Sequence, residues 1–152
     1  MNSKLVAVAV SLGLFTAALT GGATLAGAPP RQPRLTPASE QKWVPLDPSA
    51  PGNGELSLVF GDLSKKAPVG FLLRFPGGLK EPFHLHTSDY YAVEVSGVQH
   101  DWTAGPDEGP QLPPGSWWFQ PGNAQHANHC EAGETCVVFV YMPGGFDFRL
   151  AK

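Results

Sequence analysis

Residues 83–97 read FHLHTSDYYAVEVSG. In extended backbone, residues two apart share a face, so His84 and His86 aim two imidazoles at one place. Phe83 and Leu85 hold the opposite phase and are both apolar, which leaves that strand no natural solvent side. A strand covered on both faces resolves this, with the histidines inside a barrel and the apolar pair beneath another layer. Two neutral imidazoles inside need partners, since a buried polar group without one costs about 1–3 kcal/mol. A divalent metal would satisfy both together; a hydrogen-bonded pair without metal is the alternative.

Working outward, the same texture continues. ELSLVFG (55–61) and VGFLLRF (69–75) are apolar runs bounded by Gly, Asp and Pro, and TSD is turn chemistry between FHLH and YYAVEV. Gly97 precedes VQHDW, and after the breaker-rich TAGPDEGPQLPPG come SWWFQ, QHANHC, CVVFVYM and FDFRL. Short runs with turn signals every eight to twelve residues predict an all-β sandwich or barrel. No stretch sustains a helical apolar period. Eighteen glycines and sixteen prolines exceed average usage and fit a turn-rich chain. The length from residue 55 onward suits one small barrel rather than two domains.

A second cluster lies some forty residues on, in GSWWFQPGNAQHANHC (115–130). Together the two stretches resemble the paired motifs of the cupin superfamily. Gly78, His84, His86 and Gly97 fall on the Gly, His, His and Gly of G-x5-H-x-H-x3,4-E-x6-G. Gly115, Pro121 and His126 match G-x5-P-x-G-x2-H-x3-N, and the gap of residues 98–114 is short for the family. The resemblance covers most of the chain from about residue 55. It implies a double-stranded β-helix, a jelly-roll-like barrel, in which His84, His86 and His126 converge on one metal.

Three positions depart from the pattern. Tyr90 stands where the family places its glutamate ligand. Gly122 and Asn123 invert the x-Gly order, and Cys130 replaces the final asparagine, with Asn128 nearby. Without the carboxylate, the shell keeps three neutral nitrogen donors, a set that suits Zn or Fe, with Mn, Ni or Cu as further options. Tyr90 is then a candidate additional ligand or proton donor, or an ordinary strand aromatic. Glu94 shares its phase but lies roughly 13 Å further along a strand, too far to ligate. Asp89, in the turn, could orient an imidazole from outside. His129 is out of phase with His126 and should face away, His100 is ambiguous, and both read as structural. Trp117, Trp118 and Phe119 are expected to line or cap the barrel, with one tryptophan facing the cavity.

The flanks carry their own signals. Residues 1–28 hold one cation, Lys4, before the apolar run LVAVAVSLGLFTAAL and small residues, the pattern of a secretory signal peptide; cleavage after Ala23, Ala26 or Ala28 is compatible with it. An uncleaved membrane anchor is the alternative, and the small residues after the run argue against it. Residues 29–54 form a Pro-rich arm, with seven prolines in 29–51, in which Trp43 and Leu46 can pin the second half to the domain of residues 55–152. Export fits the two cysteines, Cys130 and Cys136, which can close a hairpin disulfide in an oxidising compartment. Without Lys4, nine cations face thirteen acids and none cluster, which argues against nucleic acid as a partner. No stable membrane anchor is expected after signal cleavage, and a homodimer is compatible with the sequence.

Two function classes stay open. One is an exported mononuclear metal-dependent enzyme acting on a small molecule, by dioxygenation or by isomerase or lyase chemistry. The other is a non-catalytic ligand or metal sensor, similar to the cupin domain of anti-sigma factors. No Ser-His-Asp order, P-loop or dinucleotide fingerprint is present.

Overall fold

The structure is a computed structural model that describes residues 32–104 and 108–151; the expected signal peptide lies outside the described residues. Eleven short strands and one 3-10 turn, Ala38–Glu40, make up the described chain. The strands are β1 (Val44–Pro45), β2 (Glu55–Phe60), β3 (Val69–Phe75), β4 (His84–Leu85), β5 (Tyr90–Ser96), β6 (Gln99–Trp102), β7 (Gln111–Leu112), β8 (Trp117–Gln120), β9 (Ala127–Cys130), β10 (Cys136–Met142) and β11 (Arg149–Leu150). They form an antiparallel six-stranded sheet in the order β1-β2-β3-β10-β5-β8, a three-stranded sheet β7-β6-β9 and a two-stranded sheet β11-β4. This is the all-β architecture the motifs imply.

Alternation builds the core. Along β10, Cys136, Val138, Val140 and Met142 are buried while Val137, Phe139 and Tyr141 are only half-buried. Inward-facing Leu56, Val69, Phe71, Tyr90 and Ala92 complete the main cluster. Gly97 turns β5 into β6 at φ +81°, and a Cβ there would lie within 3 Å of the Cys136 Cα and Sγ, so the turn requires glycine.

The Pro-rich segment is not wholly an arm. Pro45 ends an edge strand, where a missing donor is tolerated, and β1 pairs with β2 through Val44–Leu56 and Pro45–Glu55. Leu46 packs against both core clusters, and Trp43 stacks on the Arg74 guanidinium at 4.3 Å. β7 lies within the breaker-rich stretch of residues 103–115. Cys130 and Cys136 are bonded, but β9 and β10 belong to different sheets, so the bond ties the two sheets across the turn and does not close a hairpin.

Candidate metal centre

Backbone pairing brings the two motifs together. The segment leading into β4 runs antiparallel to β9: Gly78 N–H donates to Cys130 O, Glu81 N–H to Asn128 O, and His84 and His126 exchange both backbone hydrogen bonds at 2.8 Å. Directly opposed residues of an antiparallel pair present neighbouring side chains on one face. His84 and His126 therefore meet, at 4.2 Å between ring centroids, and His86, two residues on, joins at 5.1 and 5.4 Å. The far end of the second motif closes on the first, where Asn123 N–H donates to His86 O.

The inverted order of Gly122 and Asn123 has a local cause. Asn123 sits at φ +62°, in the left-handed region that asparagine tolerates better than most residues. A Cβ on Gly122 would lie 2.6 Å from the Thr87 carbonyl. Each motif position thus keeps the freedom it needs. Gly122 N–H also donates to Asp89 Oδ1 at 2.7 Å, so Asp89 ties the two motif loops together instead of orienting an imidazole. That task falls to backbone carbonyls. His84 Nδ1–H donates to Pro82 O at 2.9 Å, and His86 Nδ1–H to Asp147 O.

Those bonds place the protons on Nδ1 and leave the Nε2 lone pairs of His84 and His86 free. At His126 the Tyr90 hydroxyl donates to Nε2 at 3.0 Å, while Nδ1 is buried without a well-formed hydrogen bond. Burial holds all three rings below their ordinary pKa, to about 4 at His84 and about 3 at His126. At His126 the neighbouring imidazoles add to the effect. The rings are neutral, as metal ligands must be. One nitrogen from each lies within 4.8 Å of the others, and tetrahedral bonds of ~2.0–2.1 Å to a common ion would draw them to about 3.4 Å. The donor set fits a divalent ion.

Tyr90 is buried beside this cluster. Besides His126, its hydroxyl faces Asp101 Oδ2 and the Trp118 indole N–H, each at 3.5 Å. Burial, and the Asp101 charge after it, push the phenol well above its usual pKa. Burial raises Asp101 to about 7 and Glu81 also to about 7, the latter against a smaller opposing effect of Asn128. Glu81, His84, His86, Tyr90, Trp118 and His126 all line a cavity of about 50 Å³ within the barrel. Leu46, Glu81, Phe146 and Phe148 line both this cavity and an outer groove of about 440 Å³. Phe148 stacks on His84 at 4.6 Å. Glu94 is buried away from the cluster, both carboxylate oxygens unpartnered, and burial raises it to about 8.

Trp118 faces the cavity, as alternation requires, but Trp117 and Phe119 do not line or cap the barrel. They lie on the outer sheet face, 70% and 44% exposed. His129 faces away from the cluster and stacks on His100 at 5.7 Å. Glu108 and Glu131 hold that pair on the opposite side of β9.

A family model described as a domain of unknown function, DUF4437, matches residues 35–148. The chain belongs to the DUF4437 family. Solved structures place this DUF4437 chain in the cupin fold. An RmlC-like cupin from Shewanella frigidimarina NCIMB 400 superposes with TM-score 0.57 at 15% identity, covering 74% of this chain and 92% of that one. The DMSP lyase DddQ from Ruegeria pomeroyi DSS-3 gives 0.61 at 18% identity, and the DUF4437 chain spans 74% of its own length and 62% of DddQ. The Rhodobacter sphaeroides SigE complex with the anti-sigma ChrR gives 0.53 at 18%, with coverages of 70% and 50%. No curated protein matches the DUF4437 chain.

Glu81, which lines the cavity, and Asp101, which sits behind Tyr90, are the two acids the motifs do not point to. Glu81 sits three residues before His84, out of step with a strand period, because Pro82 breaks the extended run between them. Asp101 is in phase with buried Gln99 on β6, a signal present in VQHDW.

Proposed function

We propose that the protein is an exported, divalent-metal-dependent cupin that moves a proton on a small molecule, in lyase or isomerase fashion. One observation carries this: the cavity lined by the three histidines is also lined by Tyr90 and Glu81, and it shares Leu46, Glu81, Phe146 and Phe148 with an outer groove. A purely structural zinc site is closed by four protein ligands. The leader-like residues 1–28 and the Cys130–Cys136 bond support export.

His84, His86 and His126 would hold the ion, which when bound polarises a substrate oxygen. The protein groups divide the proton work. Tyr90 is kept protonated by burial, and with an ion on His126 Nε2 its one hydroxyl proton would turn from that nitrogen toward a ligand oxygen. Glu81, balanced near neutrality, is the group able to take a proton and return it. The inner cavity admits only a compact polar head, since a single water needs ~10–15 Å³ of such space. The apolar body of the molecule would lie in the outer groove along Leu46, Phe146 and Phe148.

Metal analysis of protein purified without added metal should give one divalent ion per chain, lost in His84→Ala and in His126→Ala. Unchanged metal content in both variants would overturn the site. With the metal bound, incorporation of solvent deuterium into a panel of small hydroxy and oxo acids reports the proton transfer. Oxygen uptake coupled to turnover would instead identify dioxygenation, and ligand binding without turnover would identify a sensor.

A further inference from the structure

The outer face of the six-stranded sheet is apolar across four strands. Cross-strand pairing sets Tyr141, Tyr91 and Phe119 in one row and Leu72, Phe139, Val93 and Trp117 in the next. Phe60 extends the first row by lying over Gly70, where any Cβ would meet its ring, and its ring centroid is 6.2 Å from that of Tyr141. Val95 continues the face along β5. Phe60, Tyr91, Val93, Val95, Trp117 and Phe119 are each 40–70% exposed. Such alternation normally puts polar groups outside. Here the outward phase of β5, β8 and β10 carries no charged side chain, and Arg74, in the outward phase of β3, is paired with Glu55 and stacked on Trp43 at the margin.

We infer that this face packs against the same face of a second copy of the chain, forming a two-fold dimer by sheet-on-sheet contact. The area is of the right size. Taking ~200 Å² for a fully exposed large side chain, the six exposed residues present on the order of 600 Å². Their half-buried neighbours bring the face toward the ~800 Å² per partner of a standard interface. A lone chain rarely exposes more than a few hundred Å² of contiguous apolar surface. Charge selects the occupant. A two-fold interface sets one patch against itself, and a charge-free patch is complementary to its own copy, whereas any charge on it would meet its like. The aromatic centre with an ion pair at its margin has the anatomy of such an interface. An anionic membrane would ask for free cations on the face, and Arg74 at its margin is already paired with Glu55. The dimer leaves the cavity mouth free, because the groove residues are not on this face.

Sedimentation velocity of the purified protein between ~1 and 100 µM should give twice the chain mass. Val93→Glu should weaken association at least 100-fold, and Trp117→Ser, which removes area without adding charge, at least 10-fold. Both substitutions are on the solvent side, so circular dichroism and metal content should stay as in the parent. A monomeric parent at 100 µM, or a dimer indifferent to both variants, overturns the inference. So does a parent that sediments as monomer and floats with phosphatidylcholine or phosphatidylglycerol vesicles.

Discussion

Tyr90 is the residue where this chain departs most from the cupin motif it resembles, and its environment indicates what the exchange does. A glutamate there would bring a charge to the three nitrogens; a phenol held protonated by burial brings a hydrogen-bond donor. The Tyr90 hydroxyl occupies the same His126 nitrogen the ion needs, so if Tyr90 does not itself ligate, Tyr90→Phe keeps one ion per chain and binds it at least as tightly as the parent. Competition with a chromophoric chelator measures this. Loss of the ion to the extent seen in His84→Ala would make Tyr90 a ligand. The three histidines and Tyr90 were legible from motif spacing because each sits at a position fixed by strand period and turn length. Glu81 was not legible, since Pro82 resets the phase, and Phe148 reaches His84 only through the return of the C-terminal segment. Asn123 shows the complementary case, in which a letter that breaks the pattern still satisfies the backbone requirement behind it.

At the scale of elements, the site depends on β9 as much as on β4. His126 immediately precedes β9, whose other end is bonded through Cys130 to the start of β10. The strand runs themselves read clearly from sequence, since β3, β5 and β10 are long alternating or apolar stretches. Short β1 and β7 were hidden in proline-rich segments, where pairing at an edge outweighs intrinsic propensity. The burial of Trp118 against the exposure of Trp117 follows from alternation alone, but which face of β8 would stay open could not be read before its partners were known. The Cys130–Cys136 loop is short, so its closure constrains the unfolded chain modestly. Replacing both cysteines by serine should lower the unfolding free energy in urea by about 2 kcal/mol with one metal ion per chain retained. A variant that loses the ion instead would mean that the bond positions His126 directly.

For the whole molecule, burial acts on two sets of ionisable groups in opposite directions, and their sum shapes the pH dependence of the metal-free protein. His84 and His126 titrate near 4 and 3 when folded and near their ordinary value of 6.5 when unfolded. The unfolded chain therefore binds more protons from about pH 6.5 downward, and stability falls as pH falls through that window. Carboxylates held low at Asp47, Asp62, Glu108, Glu131 and Asp147 by their hydrogen bonds add to the acid loss below about pH 4.5. Glu81, Asp101 and Glu94 work the other way: folded values of about 7, 7 and 8 against ordinary values near 4 mean that the folded state holds the extra protons. Their contribution is complete below about pH 4 and is lost as pH rises to 8. Between about pH 4.5 and 6.5 the sets oppose each other; below it only the first acts, and above it only the second. Thermal unfolding of chelator-treated protein should accordingly show its highest Tm between pH 4.5 and 6.5, with a decline on both sides. The Glu94→Gln variant, which removes the ionisation of an unpartnered buried acid, should flatten the decline between pH 6.5 and 8 while leaving the acid limb in place. A parent Tm that keeps rising from pH 6.5 to 8 would mean that these carboxyls are ionised in the folded state, and would remove Glu81 as the group that exchanges a proton near neutrality.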